Sequence, residues 1–199
     1  ARGAALITGT TVDIKQVAAY SDLINNETLN DLIQENLERV IPIGYTEEEL
    51  AYARKFQSVI TELDKEGLKA IAADIGGRDR KKELLETPLW DFIVDRNSRY
   101  GGGGSTDVGD VSWLTPAAQI QVAAWPNGCP GHSWQNVSCG RTDIGHKGAV
   151  HAGKVLAAAA IDLLTDPALL EEAKAEFRRR TAAGYTCPIP ADAVPTIAD

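Results

Sequence analysis

The sequence predicts an α/β protein, in which helices and strands share one chain. Four segments carry the signals of helices: apolar residues spaced three or four apart, or residues that favour helix starts. Three others alternate apolar and polar residues or are enriched in β-branched residues, as strands are. The composition is that of a globular protein, with 44% hydrophobic and 24% charged residues. The length of 199 residues suits one domain, or one domain and part of another.

The first predicted strand covers residues 11–20, where β-branched and polar residues mix. The first predicted helix follows it, with Asn25 or Asn26 as the N-cap. Pro42 and Gly44 end this helix. Its apolar residues fall on one face and comprise Leu29, Leu32, Ile33, Leu37, Val40 and Ile41.

A capping box opens the second predicted helix. The Thr46 hydroxyl accepts the amide hydrogen of Glu49, whose side chain reaches back to the backbone of Thr46. The three glutamates at positions 47–49 also lie where the positive end of the helix dipole favours anions. A metal-binding carboxylate cluster is an alternative, but the capping box explains the position of these residues fully. The inward face comprises Leu50, Ala53, Phe56, Val59, Ile60 and Leu63.

Residues 64–104 are irregular and highly charged, and we expect surface loops with one or two short helices there. The four glycines Gly101–Gly104 are typical of a flexible linker, or of a loop whose backbone approaches a ligand closely. Two predicted strands follow, Asp110–Leu114 and the alternating Gln119–Trp125. Because the glycines directly precede these strands, we expect a binding loop.

The last third of the chain predicts one ordered loop and two helices. The loop covers residues 126–147, which are rich in Gly, Pro, Asn, Cys, His and Ser. The nearly all-apolar segment 148–164 predicts a helix that is buried on most sides. Asp166 and Pro167 predict the N-cap and first residue of a final helix that runs to about Thr181.

The charge balance argues against nucleic acid as a partner. The chain holds 28 acidic and 20 basic residues, and its formal charge of -8 repels phosphate backbones. No apolar run reaches the about 18 residues of a membrane span, so no membrane partner is expected. The cysteines Cys129, Cys139 and Cys187 are an odd number in a long chain, which favours a reducing, cytoplasmic location over a disulfide framework.

The chemically dense part of the chain lies between residues 129 and 151, which include all three histidines and two of the three cysteines. One interpretation is a structural zinc site, because zinc takes four nitrogen or sulfur ligands in a tetrahedron. The spacings of these residues fit no common zinc-finger pattern. The four ligands of that site would be Cys129, His132, Cys139 and His146.

A second interpretation is a hydrolytic metal site with His132 as one of several ligands. Such a site needs a cation that polarises a carbonyl and lowers the pKa of a bound water, together with a carboxylate base. His132 lies on the predicted turn 130–133, where no helix constrains its ring. His146 is a cap, a substrate contact or a ligand, and His151 is predicted to be a core histidine. The sequence lacks the Gly-x-Ser-x-Gly nucleophile motif.

Three motifs follow one another along the second half of the chain: Gly104–Trp113 with Pro116, then Pro130–Gln135, then Gly145–Gly148 with the segment Ile161–Pro167. In this order they resemble the p-aminobenzoyl-glutamate hydrolase group of the aminoacylase/carboxypeptidase family of metal-dependent amidohydrolases. The string Ser105–Trp113 is long enough to be specific. The resemblance extends to Ala1–Ala5, Thr8–Thr10 and Thr46–Glu49, and so covers nearly the whole chain.

The resemblance implies an α/β catalytic domain with two metal ions and an inserted lid domain that pairs two subunits. Family members cleave the amide bond of N-acyl amino acids or small peptides, of which p-aminobenzoyl-glutamate is one. Residues 1–44 then correspond to the end of an α+β lid or dimerisation domain. Residues 45–199 correspond to the C-terminal half of the catalytic domain. A homodimer formed through the lid is implied as well.

The resemblance also implies roles for particular residues. His132 matches the late histidine that ligates a metal, zinc or manganese, and His146 lies close enough to compete for that role. The glycine-rich loop matches one that lies near the substrate carboxylate, where backbone amides can meet an anion. The residues expected to contact the substrate are Gly104, Ser105, Thr106, Asp107, Asp110 and His146.

Most of the family's metal ligands have no counterpart in this chain. Family members carry a His-x-Asp pair and a Glu-Glu pair in their N-terminal half. In this chain no histidine is followed by x-Asp, and the pairs Glu48-Glu49 and Glu171-Glu172 lie in the first turns of predicted helices. We therefore expect the chain alone to lack the metal pair, the general base and activity. The missing half would lie on a longer polypeptide or on a separate one, or it would have been lost. The rival interpretation is a non-catalytic module, derived from such an enzyme and serving in assembly or regulation.

Overall fold

The computed structural model describes residues 1–96 and 106–193, and its regular structure is helical. The described residues form eight helices: α1 (Arg2–Thr8), α2 (Glu27–Arg39), α3 (Glu47–Gln57), α4 (Glu62–Glu86), α5 (Val108–Ser112), α6 (Trp134–Gly140), α7 (Asp143–Thr165) and α8 (Pro167–Arg180). No strand occurs in these ranges. A single parallel bridge joins Asn25 to Ala117.

The predicted α/β class is therefore wrong for the described part of the chain, and neither the α/β half-domain nor the α+β lid is found there. Residues 11–20 have no regular structure, Asp110–Ser112 belong to α5, and Gln119–Trp125 form neither helix nor strand. Alternation records which side chains share a face, but a strand also needs a neighbouring strand to complete its backbone hydrogen bonds. The domain boundary at residue 44 stays a prediction.

The predicted starts of α2 and α3 are confirmed. Asn26 is the N-cap of α2, and its Oδ1 accepts the amide of Leu29 at 3.0 Å. In the capping box of α3, the Glu49 amide donates to Thr46 Oγ1 at 3.2 Å and the Thr46 amide donates to Glu49 Oε2 at 2.7 Å. Lys147 Nζ donates to the same Glu49 oxygen at 2.8 Å. Glu49 thus joins α3 to α7 instead of forming part of a metal cluster.

Helix α4 is 25 residues long and replaces the loops predicted after residue 64. A second capping box opens it, since Thr61 and Asp64 bond each other's backbone amides. Leu68, Ala72 and Leu84 are buried along its length. The long charged run between these residues masks their helical spacing in the sequence.

The end of the chain is more helical than predicted. The loop expected over residues 126–147 contains α6, and α7 begins at Asp143, five residues before the predicted start. Helix α8 is confirmed: Asp166 Oδ1 accepts the amides of Ala168 and Leu169 at 2.9 and 3.3 Å, and Pro167 is its first residue.

The helices pack around α7, which lies against α2, α6 and α8, while α2 also lies against α8. A core cluster joins α3, α6 and α7 below Tyr45, whose hydroxyl donates to the carbonyl of Ala123 at 2.7 Å. The buried side chains of this cluster are Ala53, Phe56, Leu89, Cys139 and Ile144.

A buried carboxylate of α8 holds the start of α2. Glu176 accepts the amides of Glu27 and Thr28 at 2.8 and 2.9 Å, and it also accepts the Thr28 hydroxyl at 2.9 Å. Arg180 donates to it at 3.2 Å from the next turn of α8. Because amides at a helix start have no partner inside their own helix, Glu176 satisfies two donors that would otherwise be orphaned.

Helix α7 is not buried on most sides, contrary to the prediction. Ile144, Gly148, Val155 and Ala159 face the interior, but the opposite face is exposed. By length and composition α7 is the one helix among the described residues that is apolar enough to cross a membrane. Core helices of soluble proteins pass the same test, so this finding alone does not indicate a membrane partner.

Candidate functional site

The predicted metal ligand His132 lies on an anchored turn just before α6. Its φ of 53° is in the left-handed region, which few residues other than glycine adopt. Ser133 fixes the turn, because its Oγ donates to the carbonyl of Pro130 at 2.6 Å and accepts the Asn136 amide at 3.2 Å. The His132 ring is exposed and has no hydrogen bond or ion pair within the described residues. This arrangement presents an imidazole outward with both nitrogens available.

The other two histidines lie on α7. The His146 ring is exposed in the first turn, with its Nδ1 at 3.8 Å from Asp143 Oδ1. His151 is half-buried, and it has no hydrogen bond within the described part of the chain, so it is not the satisfied core histidine that was predicted. Burial and the nearby Lys154 lower the pKa of His151, which favours its neutral form.

The predicted structural zinc site is not assembled. Cys139 is fully buried in the core cluster, and Cys129 is 8% exposed. Burial raises the pKa of Cys129 to about 11 and also raises that of Cys139, which favours the neutral thiols in this arrangement. Across residues 1–96 and 106–193, no three His, Cys, Asp or Glu side chains are grouped to hold a metal.

The structure describes the predicted substrate loop from Thr106 onward. Gly104 and Ser105 lie outside the described residues. Thr106 Oγ1 accepts the amide of Val108 at 3.2 Å, and Asp107 is exposed at the start of α5 without bonding a backbone amide of that helix. In the described ranges, no hydrogen bond or ion pair joins Asp107 or Asp110 to His132 or His146. The substrate roles of these residues stay predictions.

Helix α5 instead holds the distant segment 21–24. The Asp110 carboxylate accepts the Ser21 amide at 3.3 Å, and Ser112 Oγ accepts the Ile24 amide at 2.8 Å. Trp113 Nε1 donates to the carbonyl of Asp22 at 2.9 Å. The motif that carries the family resemblance therefore also has a structural task, which the sequence did not reveal.

Gly109 allows this close approach. A Cβ built on Gly109 would lie 2.1 Å from the carbonyl oxygen of Ser21, which is a backbone atom that cannot rotate away. No other residue type fits here without moving one of the two segments.

Asp110 also binds the C-terminal part of the chain, because Tyr185 donates its hydroxyl to Asp110 Oδ1 at 2.9 Å. The hydrogen bonds from Ser21 and Tyr185 lower the pKa of Asp110 against the effect of desolvation. Burial and the same carboxylate raise the pKa of Tyr185 to about 12. The pair therefore remains an ionised carboxylate and a neutral phenol near neutral pH.

We expect Asp110→Ala to lower the melting temperature by a few degrees, and Tyr185→Phe to lower it by less, since the latter leaves the Ser21 bond intact. In the double variant the effect of Tyr185→Phe should disappear, because its partner is already absent. Thermal unfolding of the three variants checks this. Asp107→Ala is the matched control and should leave the melting temperature unchanged; an equal loss in the control would contradict the structural role of Asp110.

An exposed indole near His132 was not predicted to have a role. Trp134 is the first residue of α6 and is 63% exposed, although one side of its ring approaches Phe56 with a centroid distance of 6.3 Å. The sequence shows a tryptophan close to His132, but it does not show that the side chain is exposed.

Comparison with known proteins adds a relationship to this geometry. No family model matches the chain, and no solved structure matches it. Over almost its whole length, the chain is similar to one subunit of a hydrolase. The resemblance inferred from the three motifs is thereby confirmed.

The relative is a subunit of the p-aminobenzoyl-glutamate hydrolase of Escherichia coli (strain K12), and it is 37% identical to this chain over 201 residues. The alignment covers 98% of this chain but 42% of the relative. The chain thus spans less than half the length of the protein it matches, as expected for a C-terminal portion of such a protein.

Proposed function

We propose that the complete protein containing this chain is a metal-dependent amidohydrolase that cleaves the amide bond of an N-acyl amino acid such as p-aminobenzoyl-glutamate. The relationship to a p-aminobenzoyl-glutamate hydrolase supports the reaction and the substrate class. The observation that carries the proposal is His132, whose exposed imidazole has no partner within the described residues and stands on a turn fixed by Ser133.

The residues present fit a metal site only in part. A neutral imidazole is a good ligand for zinc or manganese, and His132 can supply one donor. In the described ranges no further His, Cys, Asp or Glu cluster completes the coordination. The remaining ligands, and the carboxylate base, would come from polypeptide beyond this chain. When bound, the two ions would polarise the amide carbonyl and lower the pKa of a water molecule.

The proposed tasks of this chain's own residues are binding and orientation. His132 would hold one ion from its fixed turn. The contacts of Asp110 with Ser21 and Tyr185 hold α5 in place. Gly104, Ser105, Thr106 and Asp107, which precede α5 in the sequence, would meet the substrate together with Asp110, with His146 as a further contact. Residues 1–44 would contribute to a homodimer.

The experiment is metal analysis and hydrolysis of p-aminobenzoyl-glutamate by the complete protein. We expect His132→Ala to lose one metal equivalent. We also expect it to lose more activity than the about 10- to 100-fold caused by removing a group that only orients a ligand. His146→Ala should retain both ions. Full metal content and unchanged hydrolysis in His132→Ala would overturn the assignment, and metal loss in His146→Ala alone would transfer it to that residue.

A non-catalytic module is the second candidate, favoured by the coverage of 42% of the relative and by the lack of an assembled metal cluster in the described residues. The length of the natural reading frame separates the two proposals. About 200 or more residues before Ala1, the size of one further domain, favour the enzyme. A frame that begins near Ala1 favours the module.

A further inference from the structure

Helix α7 has two apolar faces, of which the other helices cover one. The covered face packs against α2, α6 and α8. The opposite face repeats apolar residues three or four positions apart over several turns, and its large side chains are exposed, from 58% at Val150 to 83% at Leu164. This uncovered face comprises Val150, Gly153, Ala157, Ala160, Ile161 and Leu164.

An apolar groove continues this face towards α2. The groove has a volume of about 290 Å³ and lies between α2, residues 116–118 and the second half of α7. Ala160 belongs both to the groove and to the uncovered face, while Leu32 and Ile33 of α2 line its other side. Monomeric soluble proteins rarely leave so continuous an apolar surface in contact with water.

The backbone beside the groove also has amides without hydrogen-bond partners among the described residues. Residues 117 and 118 line the groove, and none of the backbone amides of residues 118–125 donates a hydrogen bond to a described residue. Amides are obligatory donors, and the Ala118 amide, which has no partner within residues 1–96 and 106–193, lies where polypeptide docked in the groove can supply a carbonyl group.

We propose that the uncovered face of α7 and the adjoining groove dock the rest of the same polypeptide, namely the part that corresponds to the portion of the relative outside the alignment. The length of the relative supports this occupant, because the chain matches 42% of it and a complete protein of that size carries more polypeptide than the chain does. A second copy of this chain is the alternative occupant, and its binding would depend on protein concentration.

The proposal rests on one element of the proposed function, which is that the chain is a portion of a longer hydrolase. Its test needs no catalysis, so it can fail while the enzyme proposal survives. Two leucines make a matched pair, since Leu164 on α7 is 83% exposed in this chain and Leu63 on α4 is 82% exposed. Neighbouring charges surround Leu63, whereas Leu164 continues an apolar face.

The experiment replaces each leucine by cysteine in the complete polypeptide and measures the rate of reaction with a water-soluble thiol reagent. The exposed Cys187 is replaced by serine in both variants, and Cys129 and Cys139 are buried. We expect Leu63→Cys to react at the rate of an open thiol. Leu164→Cys should react at least about ten times more slowly.

Equal reaction rates at the two positions would overturn the proposal. Protection of Leu164→Cys that disappears on dilution would assign the face to a second copy and would overturn it as well. A natural reading frame that holds only this chain would have the same effect. As an independent measurement, Leu164→Gln should lower the melting temperature of the complete protein while Leu63→Gln leaves it unchanged.

Discussion

Glu176→Gln is expected to lower the free energy of unfolding by about 3 kcal/mol at neutral pH, since it removes a charge that two backbone amides and two side chains share. Burial alone would raise the pKa of Glu176, but hydrogen bonds from Glu27, Thr28 and Arg180 lower it to about 2. Glutamine keeps the shape of the side chain, yet one of its terminal atoms is a donor. That donor must face the Thr28 amide or the Glu27 amide, which are donors too.

The effect should depend on pH in a defined direction. The pKa of Glu176 is depressed in the folded state, so its contribution is complete above the pKa of an unfolded glutamate. It is lost progressively as the pH falls from about 5 to about 2. Urea unfolding of the parent should therefore lose stability in this window, whereas Glu176→Gln, which lacks the ionisable group, should lose less.

Glu172→Gln is the matched control for this experiment. Glu172 lies on the same helix four residues earlier, but it is exposed and makes no hydrogen bond within the described part of the chain. We expect its unfolding free energy to stay within about 0.5 kcal/mol of the parent. Equal destabilisation by the two variants would show that the amide contacts of Glu176 are not the cause.

Gly109→Ala is expected to cost about 2–3 kcal/mol, the magnitude typical of a methyl group forced into filled space. The new Cβ would lie 2.1 Å from the carbonyl oxygen of Ser21, so α5 or the segment 21–24 must shift. Such a shift also weakens the bonds that Asp110 and Ser112 make to that segment. Denaturant unfolding measures the cost.

Gly67→Ala provides the opposite result in the same experiment. Gly67 lies inside α4, and a Cβ there meets no atom within 4 Å. Alanine should raise the free energy of unfolding by about 0.5–1 kcal/mol, because it restricts the unfolded chain and favours the helix. A loss at Gly67 comparable to that at Gly109 would contradict the steric explanation.

The helix starts were predictable because their signals are local. Asn26, Thr46 and Asp166 each bond amides two or three residues further on, so a short stretch of sequence contains both partners. Strands were not predictable in the same way, since the alternation in Gln119–Trp125 says nothing about whether a neighbour exists to pair with it.

In the candidate site, too, the features that depend on nearby residues were predictable and those that depend on distant residues were not. The turn before α6 and the position of His132 on it follow from nearby glycine, proline and serine residues. The structural task of α5 does not, because Ser112 and its partner Ile24 are 88 residues apart. A motif can thus be identified from its residues while one of its tasks depends on a distant segment that no local pattern reveals.

The left-handed backbone at His132 sets stability against function at one position. With φ at 53°, an L-residue is disfavoured by about 1–2 kcal/mol relative to its usual conformation, and glycine escapes that penalty. Selection for folding alone would therefore prefer glycine there. A library selected for thermostability should enrich His132→Gly, and a library selected for turnover should discard it.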